Sequence, residues 1–374
     1  MSAVYLDHAA TTPLGPAAWE AMRPLLDEGF GNASEPHELG RQARSALEGA
    51  RERVARLLGA APAQVVFTSG GTEADNQAVF GLAGAAPGRI VVSAIEHPAV
   101  REPALELARR GFVVAWAPVD GWGVVSVEAL VELVRPGDRL CAVMWANNVT
   151  GVIQPVAAVA EVCAAAGVPL HVDAVQAAGS MKVDFGSSGA ATMALSAHKL
   201  YGPKGVGCLL ARDPGRIPPL ILGGGQEGGL RSGTENVAGV VGFAAALGAA
   251  QAEPDERLEL RERLEAGLPA GVSVVSAEAP RLPGHSLLLV EGIRAELLVL
   301  ALDREGYAVA AGSACASGDA EPSHVLVAQG MSDADARSVI RVSLGRTSTR
   351  AGVDGFLAAL AGCVERLRRG VLAT

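Results

Sequence analysis

From Val65 onward, short apolar runs alternate with Ala- and Leu-rich stretches of helical periodicity. The runs predict strands near Val65–Thr68, Arg89–Ser93, Val113–Ala117, Leu140–Trp145, Leu170–Asp173, Ala191–Ser196 and Gly207–Ala211. Helical pattern fills most of the gaps, as in Ala99–Arg110, Val127–Val134 and Val156–Ala166. Strands that are apolar at every position have both faces covered, and helices between them make the sheet mainly parallel. Gly207–Ala211 follows a short Gly-rich turn and is the candidate for an antiparallel member. The expected class is α/β: a large domain with a mainly parallel seven-stranded sheet covered by helices.

The charged helical stretch Glu253–Leu268, with Pro254 near its start, reads as a join. Beyond it the pattern predicts strands near Val272–Ser276, Ser286–Val290 and Val339–Ser343 and a helix near Ala295–Glu305, a smaller α+β domain. The opening Tyr5–Pro13 looks extended and is placed to cross over to that domain. The expected division is therefore residues 15–252 for the large domain, and 1–14 with 253–374 for the small one.

Composition narrows the function classes. A chain of 374 residues with 49% hydrophobic and 19% charged positions is a packed globular protein of two domains. A net charge of −9 without a basic block argues against a nucleic-acid surface. Asp7 and His8 interrupt any secretory apolar segment, and Val237–Ala250 is too short to cross a bilayer, so no membrane is expected. The cysteines (Cys141, Cys163, Cys208, Cys315 and Cys363) are odd in number and scattered, which supports neither a disulfide framework nor a metal site. A cytoplasmic home is expected.

Candidate chemistry gathers where predicted strands end. Lys199 follows the strand that ends in Ser196 and His198, on a turn shaped by Gly202, Pro203 and Gly205; a partly desolvated amine there would form a Schiff base with an aldehyde. Thr68-Ser69-Gly70-Gly71-Thr72-Glu73-Ala74-Asp75 leaves a strand and opens a helix, giving either an anion site at free backbone N–H groups or an ordinary capping pair of Thr72 with Asp75. His97 is an acid/base group, a plate over a ring, or a structural histidine. Asn147 and Asn148 cap a turn, or one of them meets a ligand oxygen. Asp173 ends an apolar strand and demands a cation, either an Arg or a protonated ring nitrogen, with Gln176 one turn on. Gly312-Ser313-Ala314-Cys315-Ala316-Ser317-Gly318 has no side chain able to anchor a core, so Cys315 reads as a thiol on a travelling loop. Arg341 lies in an apolar strand, where Arg is seldom buried without a carboxylate.

These stretches stand in the order seen in cysteine desulfurases. Tyr5-Leu6-Asp7-His8-Ala9-Ala10-Thr11-Thr12-Pro13, Thr68-Ser69-Gly70-Gly71-Thr72-Glu73, Glu96-His97, His171-Val172-Asp173-Ala174, Ser196-Ala197-His198-Lys199, Arg231-Ser232-Gly233-Thr234, Gly312-Ser313-Ala314-Cys315 and Arg341-Val342-Ser343-Leu344-Gly345 cover nearly the whole chain. The sequence resembles the NifS/IscS-like members of that family, fold-type I pyridoxal-phosphate enzymes of the class V aminotransferase superfamily. The resemblance implies pyridoxal 5'-phosphate as cofactor, with Lys199 forming the Schiff base. It implies Asp173 at the ring nitrogen, Gln176 at the ring oxygen, and Gly71, Thr72, Ser196 and His198 at the phosphate. It gives His97 a place over the ring and a share in proton transfer. It places Asn148 beside cofactor and substrate, and assigns the substrate carboxylate to Asn32, Asn148 and Arg341. Thr234 would reach the phosphate of a neighbouring subunit, which implies a homodimer.

The implied reaction takes L-cysteine to L-alanine and leaves a persulfide on Cys315 for a sulfur-acceptor protein, in iron–sulfur cluster assembly, tRNA thiolation or another sulfur-containing product. Val149 stands where the family usually has Glu, and Asn32-Ala33-Ser34-Glu35 where it usually has Asn-Pro-Ser-Ser. A transaminase or selenocysteine lyase of the same superfamily, or a scaffold for sulfur transfer, would be the other readings. Cys315 separates the first from a transaminase, and Lys199, Asp173, His97 and Cys315 together from a scaffold.

Overall fold

The computed structural model describes residues 3–252, 256–312 and 322–370. Its first part runs β1 (Val4–Tyr5), α1 (Pro16–Asp27), α2 (Glu38–Leu57), β2 (Val65–Thr68), α3 (Gly71–Ala83), β3 (Arg89–Ser93), α4 (Pro98–Arg109), β4 (Val113–Ala117), α5 (Val127–Leu133), β5 (Leu140–Ala142), α6 (Val156–Ala166), β6 (Leu170–Asp173), β7 (Thr192–Ser196), β8 (Gly207–Ala211) and α7 (Val237–Ala252). There follow α8 (Arg257–Ala266), β9 (Val272–Val275), β10 (His285–Val290), α9 (Ala295–Arg304), β11 (Tyr307–Ala308), β12 (Ala310–Ala311), α10 (His324–Ala328), α11 (Asp333–Ala336), β13 (Val339–Ser343) and α12 (Arg350–Arg368).

Seven strands form one sheet in the order β2-β8-β7-β6-β5-β3-β4. All neighbours run parallel except β8, which is antiparallel to both β2 and β7. Alternate residues explain why the strands read as unbroken apolar runs. Val65, Phe67, Val91, Met193 and Leu195 enter the core shared with α2, α6 and α7. Ile90 and Val92 face α3 and α4 on the other side, as do Val66 and Ala194 beneath α3. The apolar stretch near Val237–Ala250 is α7, a core helix buried along most of its length. Among the described residues no single helix is long and apolar enough to cross a membrane.

The strand predicted over Leu140–Trp145 is shorter than expected. It ends at Ala142, because Asn147 turns the chain: its amide oxygen accepts the N–H groups of Val149 (2.9 Å) and Thr150 (3.0 Å), and its amide nitrogen donates to the Ile95 carbonyl (3.0 Å). Of the predicted charged helix, Arg257–Ala266 is helical, and Pro254 lies outside the described residues.

A second sheet, β12-β13-β10-β9, is antiparallel, and α8, α9 and α12 cover it around a separate cluster that includes Leu264, Leu288, Leu298, Ile340, Phe356 and Leu360. The start of the chain joins this cluster. Strand β1 pairs in parallel with β11, and Leu6 is buried there with its N–H donating to Ala308 (2.9 Å) and its carbonyl accepting from Ser343 (2.8 Å). Leu6 therefore fastens the segment that next reaches the cleft. Leu6→Ala is expected to cost about 2–5 kcal/mol, seen as a lower urea midpoint at unchanged slope.

Candidate active site

Strands β2, β3, β5, β6 and β7 all end at one edge of the large sheet. Their exits line a cavity of about 210 Å³, the place where open α/β sheets bind ligands. From β2 the chain turns at Gly70 into α3, whose first residues Gly71 and Thr72 form one wall. A Cβ on Gly71 would stand 2.6 Å from the Val175 side chain, so only hydrogen fits. Gly207 supports the same turn from behind: a Cβ there would lie 2.5 Å from the Leu195 oxygen and 2.7 Å from the Gly70 carbonyl carbon. The helix begins at Gly71 with Gly70 as its uncapped start, so Thr72 and Asp75 do not form a capping pair. The Ser69 N–H donates instead to Glu73 (2.8 Å), which Arg231 holds from outside (2.9 Å).

The other exits supply the polar groups. His97 precedes α4, and its Nδ1 accepts the Ala99 N–H (3.1 Å), which puts the proton of the neutral ring on Nε2. Asn148 lines the cavity beyond the turn built by Asn147. Asp173 ends β6, buried, with Oδ1 accepting the Val175 N–H (2.9 Å). Ser196, His198 and Lys199 leave β7 through one 3-10 turn, and His198 Nδ1 meets Thr11 Oγ1 at 3.1 Å. Beyond the turn, Tyr201 is held in the left-handed region (φ 66°) by its N–H to Thr12 Oγ1 (2.8 Å) and by the Arg346 N–H donating to its hydroxyl (2.6 Å).

Burial dominates the electrostatics. It pushes Lys199 down to about 8, helped by the Arg341 charge and opposed by Asp173 and Asp7. It raises Asp173 above the usual carboxylate range, against the pull of His97 and Lys199. It lowers His97, and takes His198 down to about 4 with Lys199 and Lys204 adding to the effect. A half-buried amine and a buried carboxylate thus share the cavity without pairing: the Lys199 ammonium donates to the carbonyls of Ala9 (2.6 Å) and Ala10 (2.8 Å). Gln176 sends its amide N–H to the same Ala9 carbonyl (2.9 Å). The segment after β1 is therefore part of the site.

Arg341, on β13, arrives from the second sheet. One terminal nitrogen donates to the Asp7 carboxylate (2.6 Å) and the other to the Asn148 carbonyl (2.8 Å), so it touches the cavity's rim through Asn148. Asn32 is exposed and away from the cavity lining, its Oδ1 accepting the Ser34 N–H (2.9 Å). Thr234 is also exposed and outside the lining. Cys315 lies outside the described residues; Cys141, Cys163, Cys208 and Cys363 are free and buried. No group of His, Cys, Asp or Glu suited to a metal occurs among the described residues.

Two buried acids have places that the sequence reading had not given them. Glu96, ahead of His97, is fully buried and pushed up to about 8; its Oε1 accepts from Ser93 Oγ (2.6 Å) and the Met144 N–H (2.7 Å). Asp75 lines the cavity and meets His171 Nε2 at 3.1 Å. An acid directly at a strand exit was the available signal for Glu96. For Asp75 the only signal was the same helical turn that carries Thr72.

The aminotransferase class-V family model matches residues 4–356. The chain belongs to that family. It is 45% identical to an IscS-like cysteine desulfurase of Mycobacterium tuberculosis, over 99% of this chain and 98% of the relative. Among solved structures it matches a NifS-like protein with a TM-score of 0.91 and 35% identity, covering 97% of this chain and 99% of that one. It also matches a protein described as SspA in complex with cysteine, with a TM-score of 0.82 and 32% identity over 91% of this chain and 98% of the other. Within the class-V aminotransferases the chain is thus a cysteine desulfurase, and the cleft at the strand exits is its candidate active site.

Because burial lowers Lys199 to about 8, its labelling by trinitrobenzenesulfonate in the apoprotein should rise through pH 8, well below an ordinary lysine. Peptide mapping at stepped pH reads this directly; labelling that begins only above pH 10 would contradict the desolvated amine. Gly207→Ala should weaken anion binding at the α3 turn by about tenfold or more, measured by competition with inorganic phosphate.

Proposed function

We propose that the cavity holds pyridoxal 5'-phosphate and that this chain uses it to take sulfur from L-cysteine. The observation that carries the reading is the unpaired coexistence of Lys199 and Asp173 in one small buried space. A carboxylate there needs a cation, and a protonated pyridine nitrogen is one; an amine with a lowered pKa is suited to an aldehyde. The opposite wall fits a phosphate: free N–H groups open α3 at Gly71 and Thr72, and the Ser196 hydroxyl and the His198 ring line the same space. The residues present therefore fit both ends of the group. Bound there, the pyridine ring acts as an electron sink that acidifies the substrate Cα–H.

The chain's own groups then have distinct tasks. Lys199, held by the Ala9 and Ala10 carbonyls, would be the amine that takes the cofactor aldehyde. Asp173 would keep the proton on the ring nitrogen, and Gln176, in the same cavity lining, would serve the ring oxygen. His97 would lie over the ring, with its own proton held at Nε2 because Nδ1 accepts the Ala99 N–H. Arg341 and Asn148 take the substrate carboxylate, with Asp7 and the Asn148 carbonyl fixing the guanidinium. Asn32 is assigned to the same carboxylate by its motif alone. In the closing step the Cys315 thiolate would attack the substrate sulfur: an S–S bond forms, the Cβ–S bond breaks with its electron pair passing to the carbon fragment, and that fragment takes up the proton that the Cys315 thiol released. L-Cysteine and a thiol thus become L-alanine and a persulfide, with no outside reductant. The solved relative described as a complex with cysteine supports that substrate.

The partners follow the same reading. A second copy of the chain would cover Phe30 (76% exposed) and Leu222 (82% exposed) and bring Thr234 to the neighbouring phosphate. A sulfur-acceptor protein, of the kind that serves iron–sulfur assembly or thiolation, would receive the persulfide. The free described cysteines agree with a reducing, cytoplasmic setting. The two separate hydrophobic clusters support a large domain over 15–252 and a small one formed by 1–14 and 253–374.

Lys199→Ala, given the cofactor, should lack the visible absorbance of the wild type, since no amine remains to condense with it. An unchanged spectrum would remove Lys199 from the role. Cys315→Ser should keep that spectrum but stop releasing sulfide from L-cysteine in the presence of a thiol. Undiminished sulfide would favour a lyase that needs no carrier thiol.

A further inference from the structure

A buried polar bridge crosses the floor of the cavity. Asp75 lies on α3 one turn beyond Gly71 and Thr72, and His171 lies on β6 two residues before Asp173, on the same face of the strand. Asp75 Oδ1 and His171 Nε2 are 3.1 Å apart. His171 Nδ1 continues to Thr192 Oγ1 (2.9 Å) on β7, its direct neighbour across the parallel pair. All are sealed from solvent, with Asp75 1%, His171 0% and Thr192 1% exposed.

We propose that Asp75 and His171 are positioning residues that set the span between the two ends of the cofactor cavity, the phosphate end on α3 and the ring end on β6. This rests on the cofactor reading given above. A ligand gripped at both ends gains from the fixed distance between its grips, because once one end is bound the other is presented at high effective concentration. Helix α3 and strand β6 are not sequence neighbours, and β8 and β7 separate β6 from β2 in the sheet. Without the bridge, Thr72 and Asp173 would be related through the strand ladder β2-β8-β7-β6 and through apolar packing of α3 on the sheet, with no direct polar tie between helix and strand.

The bridge is also built to be uncharged. Burial raises Asp75 well above the carboxylate range, with Asp173 and Glu96 adding to it, and takes His171 down to about 3. One shared proton keeps the pair neutral wherever it sits. The floor can then hold its negative charge on Asp173 alone, opposite a cationic ring.

Pyridoxamine 5'-phosphate, which lacks the aldehyde, tests the span without the Lys199 imine. Its dissociation constant from the full-length apoprotein is measured by equilibrium dialysis, beside those of pyridoxamine and inorganic phosphate as separate pieces. Asp75→Ala should bind the intact compound about tenfold more weakly, with each piece changed by no more than about twofold, and Asp75→Asn, which keeps a hydrogen-bonding partner for Nε2, should recover most of the loss. His171→Phe keeps the ring volume and should behave as Asp75→Ala, so it carries the test if the alanine variant does not fold. The double variant should be no weaker than the weaker single. Equal losses for the intact compound and its pieces, or single effects that add in the double, would overturn the proposal. A wild-type apoprotein that binds none of the three would overturn the cofactor reading, and the proposal with it.

Discussion

The structure turns on one constraint: a carboxylate and an amine are kept out of water together yet not allowed to neutralise each other. Asp173 closes a wholly buried strand and receives one backbone N–H, while Lys199, a residue of the same cavity, gives its protons to Ala9 and Ala10. Desolvating two opposite charges without pairing them costs several kcal/mol, which a bound group meeting both would offset. The remaining geometry serves that imbalance. The parallel sheet gathers five strand ends at one edge, the glycines at positions 70, 71 and 207 let α3 approach closely, and His97 and Glu96 remain neutral so that they do not settle the account prematurely.

Much of the large sheet was legible because parallel strands buried on both faces leave unbroken apolar runs. Val65–Thr68, Arg89–Ser93, Val113–Ala117, Leu170–Asp173 and Gly207–Ala211 fall where the pattern put them. The strand predicted over Leu140–Trp145 stops at Ala142, because residues 143–146 are as apolar as the strand but follow the turn that Asn147 dictates. Helices α1 and α2 escaped notice for the opposite reason. On α2 Gly40, Ala43, Leu47, Ala50, Val54 and Ala55 are buried at helical spacing, a stripe of mostly small side chains among charged residues, so the helix is low in mean hydropathy although amphipathic.

Site residues divide in the same way. Lys199, Asp173 and His97 announced themselves as polar groups at the ends of apolar strands, which is a local signal. Their partners are remote in sequence and gave none. The acceptors of Lys199 lie 190 and 189 residues away, and the Asp75–His171 contact spans 96. Asp75 even carried a misleading local signal, since a capping pair with Thr72 required a helix start that Gly70 and Gly71 displace. Asn32 and Thr234 rest on motif alone, both exposed in a single chain.

The segment from Leu6 to Thr12 ties the chain's beginning to its end. Ser343 offers its hydroxyl to the Ala9 N–H (2.9 Å), a contact 334 residues long, and Ala9 in turn braces both Lys199 and Gln176. During synthesis the large sheet is complete once β8 has emerged, before the Ser343 hydroxyl that accepts the Ala9 N–H is available. A product truncated before Val339 would own every strand of the large sheet but lack the Arg341 and Ser343 contacts that fasten Asp7 and Ala9.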